Sequence, residues 1–247
     1  MNFIVATLNL SRLNEAQLVA NDYLAKSNMT QLSPHYMAIL YNISISSPHV
    51  KKLILNVDLS REESNRKIYT CARLIANFKK LTFLSLHFTA QIELQEKIKS
   101  STSSQENIQQ NFIQFLVTSL PKLKYLYLHS CPVQGLCISS ESIEKLCIYK
   151  SEFVHMKYLN TPKLKVLMFH EGMQRFFKKI HETEEAGIST TNQLDIFRVI
   201  YNGCPSIENF NNVDLGVLRP HNLSMHDWCH YALKISYKRC SVKSVKI

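Results

Sequence analysis

Two histidines near the end of the chain have the spacing of a metal-binding pair. His226 and His230 stand four residues apart in the segment His-Asp-Trp-Cys-His, so a helix would place both imidazoles on one face. Imidazole nitrogens bind zinc, copper and nickel. A protein zinc site usually takes three or four side-chain ligands, however, and no second pair of ligands stands at a fitting distance in the sequence. The sequence therefore predicts no metal site and no cofactor, and the segment is interpreted as a helix that buries Trp228.

Residue patterns typical of enzymes are missing from the sequence. It contains no GxSxG, HExxH, Walker or GxGxxG motif. The acidic residues Glu182, Glu184 and Glu185 could act as a general acid or base, but no matching partner accompanies them, and a solvated loop is the preferred explanation. The sequence predicts a protein that is not an enzyme.

The charge of the chain limits its possible partners. The net charge is +10, from 29 lysines and arginines against 19 acidic residues. Such an excess suits nucleic acid, an anionic membrane surface or an acidic protein. The basic residues are scattered in pairs rather than in blocks of five or six, which argues against a nucleic-acid-binding tail.

The cysteines and the apolar runs indicate an intracellular protein. The seven cysteines are an odd number and form no CxxC pair, which is typical of reduced, buried thiols. Residues 1–10 lack the basic region and the long apolar stretch of a secretory signal. No run approaches the roughly 18 apolar residues of a membrane span. The predicted location is cytoplasmic or nuclear, with no transmembrane segment.

A repeat predicts the elements that would position functional side chains. Residues 123–133 match the leucine-rich template L-x-x-L-x-L-x-x-C-x-L, with Val133 as the last apolar position. Units with the same apolar spacing start at Val50, Leu81, Ile143 and Leu164, and a weak one at Ile207. Helices are predicted before the first unit, at 34–45, and between the units, at 64–77, 105–119 and 193–201. Polar loops are predicted at 92–105 and 182–191.

Between Leu126 and Leu167 the apolar pattern tightens. Pairs of apolar residues recur about every ten residues, which favours two strands in each coil over a strand and a helix. The pairs are Leu126/Leu128, Leu136/Ile138, Leu146/Ile148, Met156/Tyr158 and Leu167/Phe169.

Side chains alternate along a strand, so the positions between the leucines should face outward on a concave surface. Those predicted positions are Lys52, Ile54, Asn56, Phe83, Ser85, His87, Tyr125, Tyr127, His129, Lys145, Cys147, Tyr149, Val166, Met168 and His170. Tyr and Met are enriched in protein interfaces. The candidate partner-binding residues are therefore Phe83, His87, Tyr125, Tyr127, His129, Lys145, Tyr149, Met168 and His170.

The last outward position of four strands carries an imidazole or a phenol. These residues are His87, His129, Tyr149 and His170. A column of histidines could bind a metal or respond to pH, but His170 would lie two strands beyond His129, too far for a shared ion. Solvated or backbone-paired histidines are the preferred interpretation.

Residues 123–172 resemble the leucine-rich region of F-box proteins, particularly the plant type. They read LKYLYLHSCPVQGLCISSESIEKLCIYKSEFVHMKYLNTPKLKVLMFHEG. In that family a PxLKxLxLxxC segment, a GLxIxSxSLExLxI segment and an xxPxLKxLxxxG segment follow in the same order. The resemblance implies a subunit that selects substrates for a cullin-based ubiquitin ligase through an SKP-type adaptor. The adaptor-binding F-box itself is not recognisable in residues 1–47.

Taken together, the sequence predicts an α/β leucine-rich-repeat solenoid with a curved parallel sheet of about six strands and with helices and short strands on the convex side. Residues 1–47 and 219–247 are predicted to cap a solenoid of residues 48–218. The expected function is recognition of a protein substrate or adaptor. A basic surface for nucleic acid or membranes and a concave small-molecule receptor are the alternatives.

Overall fold

The computed structural model describes residues 34–46, 49–58, 65–89, 102–131, 135–149, 155–170 and 195–243. The chain forms two units, Met1–Tyr125 and Leu126–Ile247. Each unit combines helices with parallel strands, so the fold class is mixed α/β with mostly parallel strands, as the sequence predicted.

The first unit alternates helices and strands. Its elements are α1 (Pro34–Ser46), β1 (Lys52–Asp58), α2 (Asn65–Ala76), β2 (Phe83–Thr89) and α3 (Thr102–Ser119). Strands β1 and β2 are parallel, and Leu53 pairs with Leu84 in the ladder. Both leucines are fully buried, as are Phe78 and Phe112 from the helical side. Burial of such apolar side chains supplies the main stabilising free energy of this layer.

The second unit contains more strands. Its elements are β3 (Tyr125–His129, beginning at the last residue of the first unit), β4 (Gly135–Ser139), β5 (Lys145–Tyr149), β6 (His155–Asn160), β7 (Val166–His170), α4 (Asp195–Gly203), β8 (Asn209–Phe210), β9 (Val213–Asp214), a 3-10 helix (Gly216–His221) and α5 (Met225–Lys243). One sheet has the order β3-β5-β7-β8-β9, and β4 pairs with β6 in a separate two-stranded sheet. Strands β5 and β7 are parallel, whereas β8 and β9 form an antiparallel pair.

A short turn with the same hydrogen bond precedes four of the strands. An amide donates to the carbonyl three residues earlier at 2.9–3.0 Å, and the donor is always an apolar residue: Leu81, Leu123, Leu164 and Ile207. Pro121, Pro162 and Pro205 lie in three of these turns. Since proline fixes its own backbone and cannot donate, it suits a position that ends one element before the next begins.

Paired backbone donors fix the starts of several of these strands. The amides of Thr82 and Phe83 both donate to the carbonyl of Lys51, and those of Lys165 and Val166 both donate to the carbonyl of Glu144. The same arrangement in both units sets the register of the parallel strands. Because a shift of one residue would turn every leucine outward, this register decides which side chains are buried.

The predicted alternation of strands between residues 126 and 167 is confirmed. Strands β3, β5 and β7 belong to one sheet, and β4 and β6 to the other. The predicted helices at 34–45, 64–77 and 193–201 are found within two residues of their expected ends.

One helix boundary was predicted wrongly. Helix α3 starts at Thr102, although residues 102–105 were assigned to a polar loop. Ser and Thr favour the first positions of helices, so the polar run around Ser103 and Ser104 belongs to the start of the helix. Predictions for residues 1–33, 90–101 and 171–194 lie outside the described residues.

Candidate functional site

The main sheet of the second unit separates its side chains into an interior face and an outer face. Leu126, Leu128, Leu146 and Ile148 are at most 1% exposed. The alternating residues on β3 and on the ends of β5 are partly exposed. The inward and outward positions predicted from the repeat are therefore correct for these strands, apart from Cys147.

Aromatic rings associate on the outer face, where β3 and β5 are neighbours. The imidazole of His129 stacks on the ring of Tyr149, with centroids 4.4 Å apart and planes inclined by 6°. The rings of Tyr127 and Tyr149 are 6.1 Å apart and inclined by 12°. The ammonium of Lys145 lies 5.7 Å from the centre of the Tyr127 ring, within range of a cation–π interaction. We call these four residues, with Cys147, the tyrosine cluster.

Cys147 occupies an outward position yet is completely buried, which the sequence analysis did not predict. The phenols of Tyr149 and Tyr127 are hydrogen-bonded neighbours of its thiol. Burial raises the pKa of the Cys147 thiol, and the positive charge of Lys145 opposes that shift only in part. The long side chains of Tyr127 and Tyr149 thus cover the short side chain of Cys147. The alternation rule gives the direction of a side chain and not what covers it.

The same contacts keep the phenol of Tyr149 protonated. Burial first, and then the neighbouring Cys147 and Tyr127, raise the pKa of Tyr149 to about 12. Like an unperturbed phenol, the hydroxyl is protonated and can donate a hydrogen bond throughout the neutral range. A neutral donor in the same cluster as the Lys145 ammonium, which lies over the neighbouring Tyr127 ring, suits carbonyl and carboxylate oxygens of a ligand.

Replacing Tyr149 with alanine is expected to uncover the Cys147 thiol. Thiols react only when a thiolate is accessible, so removing the covering phenol should raise the alkylation rate of Cys147 by about tenfold. The rate is measured by iodoacetamide labelling of the folded chain and mass spectrometry of the peptide containing Cys147. Tyr158→Ala, on β6 of the other sheet, serves as the matched control. Equal Cys147 rates in both variants and the parent would contradict the proposed covering.

Met168 and Val166 border the cluster on the next strand. The register pairs Cys147 with Met168 and Lys145 with Val166, and both β7 residues are partly exposed. The backbone of His170 pairs with Tyr149, but the side chain of His170 lies outside the described residues. Of the four residues predicted to form a column at the last outward strand positions, the structure therefore brings together His129 and Tyr149.

The outer face of β1 and β2 in the first unit carries a smaller group. The ammonium of Lys52 lies 5.3 Å from the centre of the Phe83 ring. The Ser85 hydroxyl is 3.2 Å from Nε2 of His87, and partial burial lowers the pKa of His87. Ser85 was expected to face solvent, but it is buried, since its short side chain lies between larger neighbours on the same strand. Tyr125, at the end of this unit, is 38% exposed.

A groove lies between α4 and β6 in the second unit. Met156, Tyr158, Arg198 and Asn202 contribute to its walls. Two of the charged groups in it form an ion pair, because a guanidinium nitrogen of Arg198 lies 3.3 Å from the carboxylate of Asp195. Because Arg198 and Asp195 form an exposed ion pair with each other, they do not present a general acid and a general base to the same point in the groove.

Two kinds of functional feature are absent from the described residues. Their side chains include no group of three or more His, Cys, Asp or Glu that could hold a metal ion. Among the described helices, none has both the length and the apolar character needed to cross a membrane.

Comparison with known proteins provides no family for this chain. It matches no protein-family model, no curated protein and no solved structure. A functional proposal for this chain therefore depends on the chemistry of its described surface.

Proposed function

We propose that this chain is a protein-recognition module, a leucine-rich-repeat solenoid resembling the substrate-recognition part of an F-box subunit in a cullin-based ubiquitin ligase. Such a module catalyses nothing. It holds a substrate near a separately bound conjugating enzyme and so raises the effective concentration of the substrate there. The proposal is supported by the repeated turn, by the buried leucine positions of the parallel strands and above all by the tyrosine cluster.

The tyrosine cluster has the composition of an interface hot spot. Tyr residues supply large contact area with few rotatable bonds, and they are enriched among residues whose truncation costs the most binding free energy. The stacking of His129 on Tyr149 and the 5.7 Å approach of Lys145 to Tyr127 hold the side chains in place before binding. Less side-chain entropy is then lost when a partner arrives.

The groups on the cluster indicate the chemistry of the partner. The Tyr149 phenol, the Tyr127 phenol and the Lys145 ammonium can all donate hydrogen bonds, while the aromatic rings offer apolar contact. A protein segment that combines a carboxylate with an apolar or aromatic side chain fits this surface. We therefore propose an acidic, partly apolar peptide segment as the recognised element.

An affinity experiment with the full chain tests the proposal. The parent, the double variant Tyr127→Ala/Tyr149→Ala and the control Tyr158→Ala are used as bait in a native extract, and the captured proteins are quantified. Tyr158 is a suitable control because it is 51% exposed and lies on β6, outside the main sheet. Each captured candidate is then purified and its affinity for the three baits is measured.

At least one partner should bind the parent and the Tyr158 control equally and the double variant about tenfold or more weakly, as expected when hot-spot residues are removed. Recovery of an SKP-type adaptor or cullin would support the ligase assignment. Partners that bind all three baits with equal affinity would exclude the tyrosine cluster as the recognition surface. If adaptors are absent while a cluster-dependent partner is found, protein recognition stands and the ligase assignment falls.

A second candidate function, binding to nucleic acid, has one observation in its favour. Six lysines whose side chains are described lie in the first unit. The lysines are Lys51, Lys52, Lys79, Lys80, Lys122 and Lys124, which stand at or just before the starts of the strands. Backbone hydrogen bonds from Thr82 to Lys51 and from Lys124 to Thr82 bring these starts to one edge.

Salt dependence separates this candidate from protein recognition. If all six lysines contacted phosphates, affinity for a DNA or RNA duplex would fall about a thousandfold between 50 and 200 mM salt. Binding to immobilised duplex is measured at both concentrations. A steep loss favours the basic edge, whereas weak binding with little dependence on salt removes nucleic acid as a partner.

A further inference from the structure

Two exposed imidazoles approach each other on the first turns of α5. Nε2 of His226 lies 3.1 Å from Nε2 of His230, and the ring centroids are 4.4 Å apart. Both side chains are exposed to solvent. The neighbouring residues Trp228 and Cys229 are buried, so this helix is anchored against its unit with the two histidines outward.

The distance between the two nitrogens matches the requirements of a shared metal ion. Zinc binds imidazole nitrogen at about 2.0–2.1 Å. Two such bonds enclosing an angle between a right angle and the tetrahedral value place the nitrogens roughly 2.9–3.4 Å apart. The observed 3.1 Å lies inside that interval, so one ion could bind both imidazoles with little change in side-chain position.

A neighbouring carboxylate supports the required tautomer. Nδ1 of His226 lies 3.7 Å from Oδ1 of Asp227, and the Ser224 hydroxyl donates to Oδ2 of the same carboxylate at 2.6 Å. The Ser224 hydroxyl also accepts from the Asp227 amide at 3.2 Å, which caps the helix. A carboxylate beside Nδ1 favours the proton on that nitrogen and leaves the Nε2 lone pair free, as in many histidines that bind metals.

We propose that His226 and His230 form a two-imidazole binding site for a divalent transition-metal ion such as nickel, copper or zinc. Asp227 lies behind the first ligand and orients it, and water fills the other coordination positions. This inference is independent of the proposed function. The sequence predicted no metal here because it shows no third or fourth side-chain ligand nearby; in the proposed site, water takes those positions.

The single tryptophan of the chain provides a local reporter for the test. Trp228 lies between the two histidines in sequence, two residues from each. A nickel ion bound at this site should quench its emission, because paramagnetic ions quench nearby indoles. Nickel chloride is titrated into the full chain, and the Trp228 emission is followed until it no longer changes.

Three variants complete the experiment. In His226→Gln and His230→Gln, the nickel concentration for half-maximal quenching should rise about tenfold or more, since loss of one ligand removes the advantage of joint binding. His49→Gln, which replaces an exposed histidine of the first unit, should match the parent. Circular dichroism without nickel confirms that the helices are retained.

Two results would overturn the proposal. One is quenching at the same nickel concentration in the parent and in both α5 variants. The other is emission of the parent that shows no saturable change with nickel. In either case the 3.1 Å approach is explained by a direct hydrogen bond between the two imidazoles, without a metal.

Discussion

Replacing Gly203 with alanine is expected to destabilise the second unit by about 3 kcal/mol, at the upper end of the cost of overpacking. A Cβ atom at this position would lie 1.6 Å from the carbonyl oxygen and 2.5 Å from the carbonyl carbon of Leu159. Those atoms belong to the backbone of β6, so no flexible side chain can move aside. Helix α4 would have to move away from β6, and the hydrogen bond from the Thr161 amide to the Gly203 carbonyl, 2.8 Å long, would be lost or weakened.

The destabilisation should appear despite an opposing local effect. Alanine is the better helix former by up to about 1 kcal/mol, and Gly203 is the last residue of α4, so helix propensity alone would predict a stability equal to or above that of the parent. Urea unfolding is followed by the fluorescence of Trp228, whose indole lies 5.4 Å from the ring of Tyr201 on α4. The matched control is Asn202→Ala, an exposed neighbour on the same helix. An unfolding midpoint of Gly203→Ala equal to or above that of the control would contradict the close approach of α4 to β6.

The strands of this protein were predictable because their signal is local. Leu126, Leu128, Leu146 and Ile148 occupy spacings that a strand converts directly into one buried face. The repeated spacing also predicted that β3, β5 and β7 lie side by side in one sheet. The ten-residue interval of apolar pairs likewise predicted the alternation between two sheets.

Features that depend on contacts between distant residues were not predictable. Nothing around Cys147 in the sequence indicates that aromatic rings from β3 and β5 close over it. The need for glycine at 203 arises from a strand more than forty residues earlier, and it follows only from the packing of α4 on β6. Similarly, the 3.1 Å approach of His226 and His230 depends on rotamers, which spacing alone does not fix.

Substitutions at two neighbouring positions of β3 should have opposite effects: one should mainly reduce stability, and the other should mainly reduce partner binding. Leu126→Ala is expected to cost roughly 2–5 kcal/mol of unfolding free energy, because it empties a position that is 1% exposed and leaves a cavity among packed leucines. Tyr127→Ala should cost about 1 kcal/mol or less, since the ring is only half-buried and loses one stacking and one cation–π contact. Partner binding should show the reverse order, with the larger loss for Tyr127→Ala.

Unfolding in urea, followed by Trp228 fluorescence, compares the two variants with the parent, and partner affinity is measured under conditions where all three are folded. The contrast depends on strict alternation along β3, because a register shift by one residue would exchange the roles of the two positions. Unfolding midpoints of Leu126→Ala close to the parent, or a larger loss of stability for Tyr127→Ala, would show that Leu126 does not face the interior. Unchanged partner affinity of Tyr127→Ala would remove that phenol from the recognition surface while leaving the register intact.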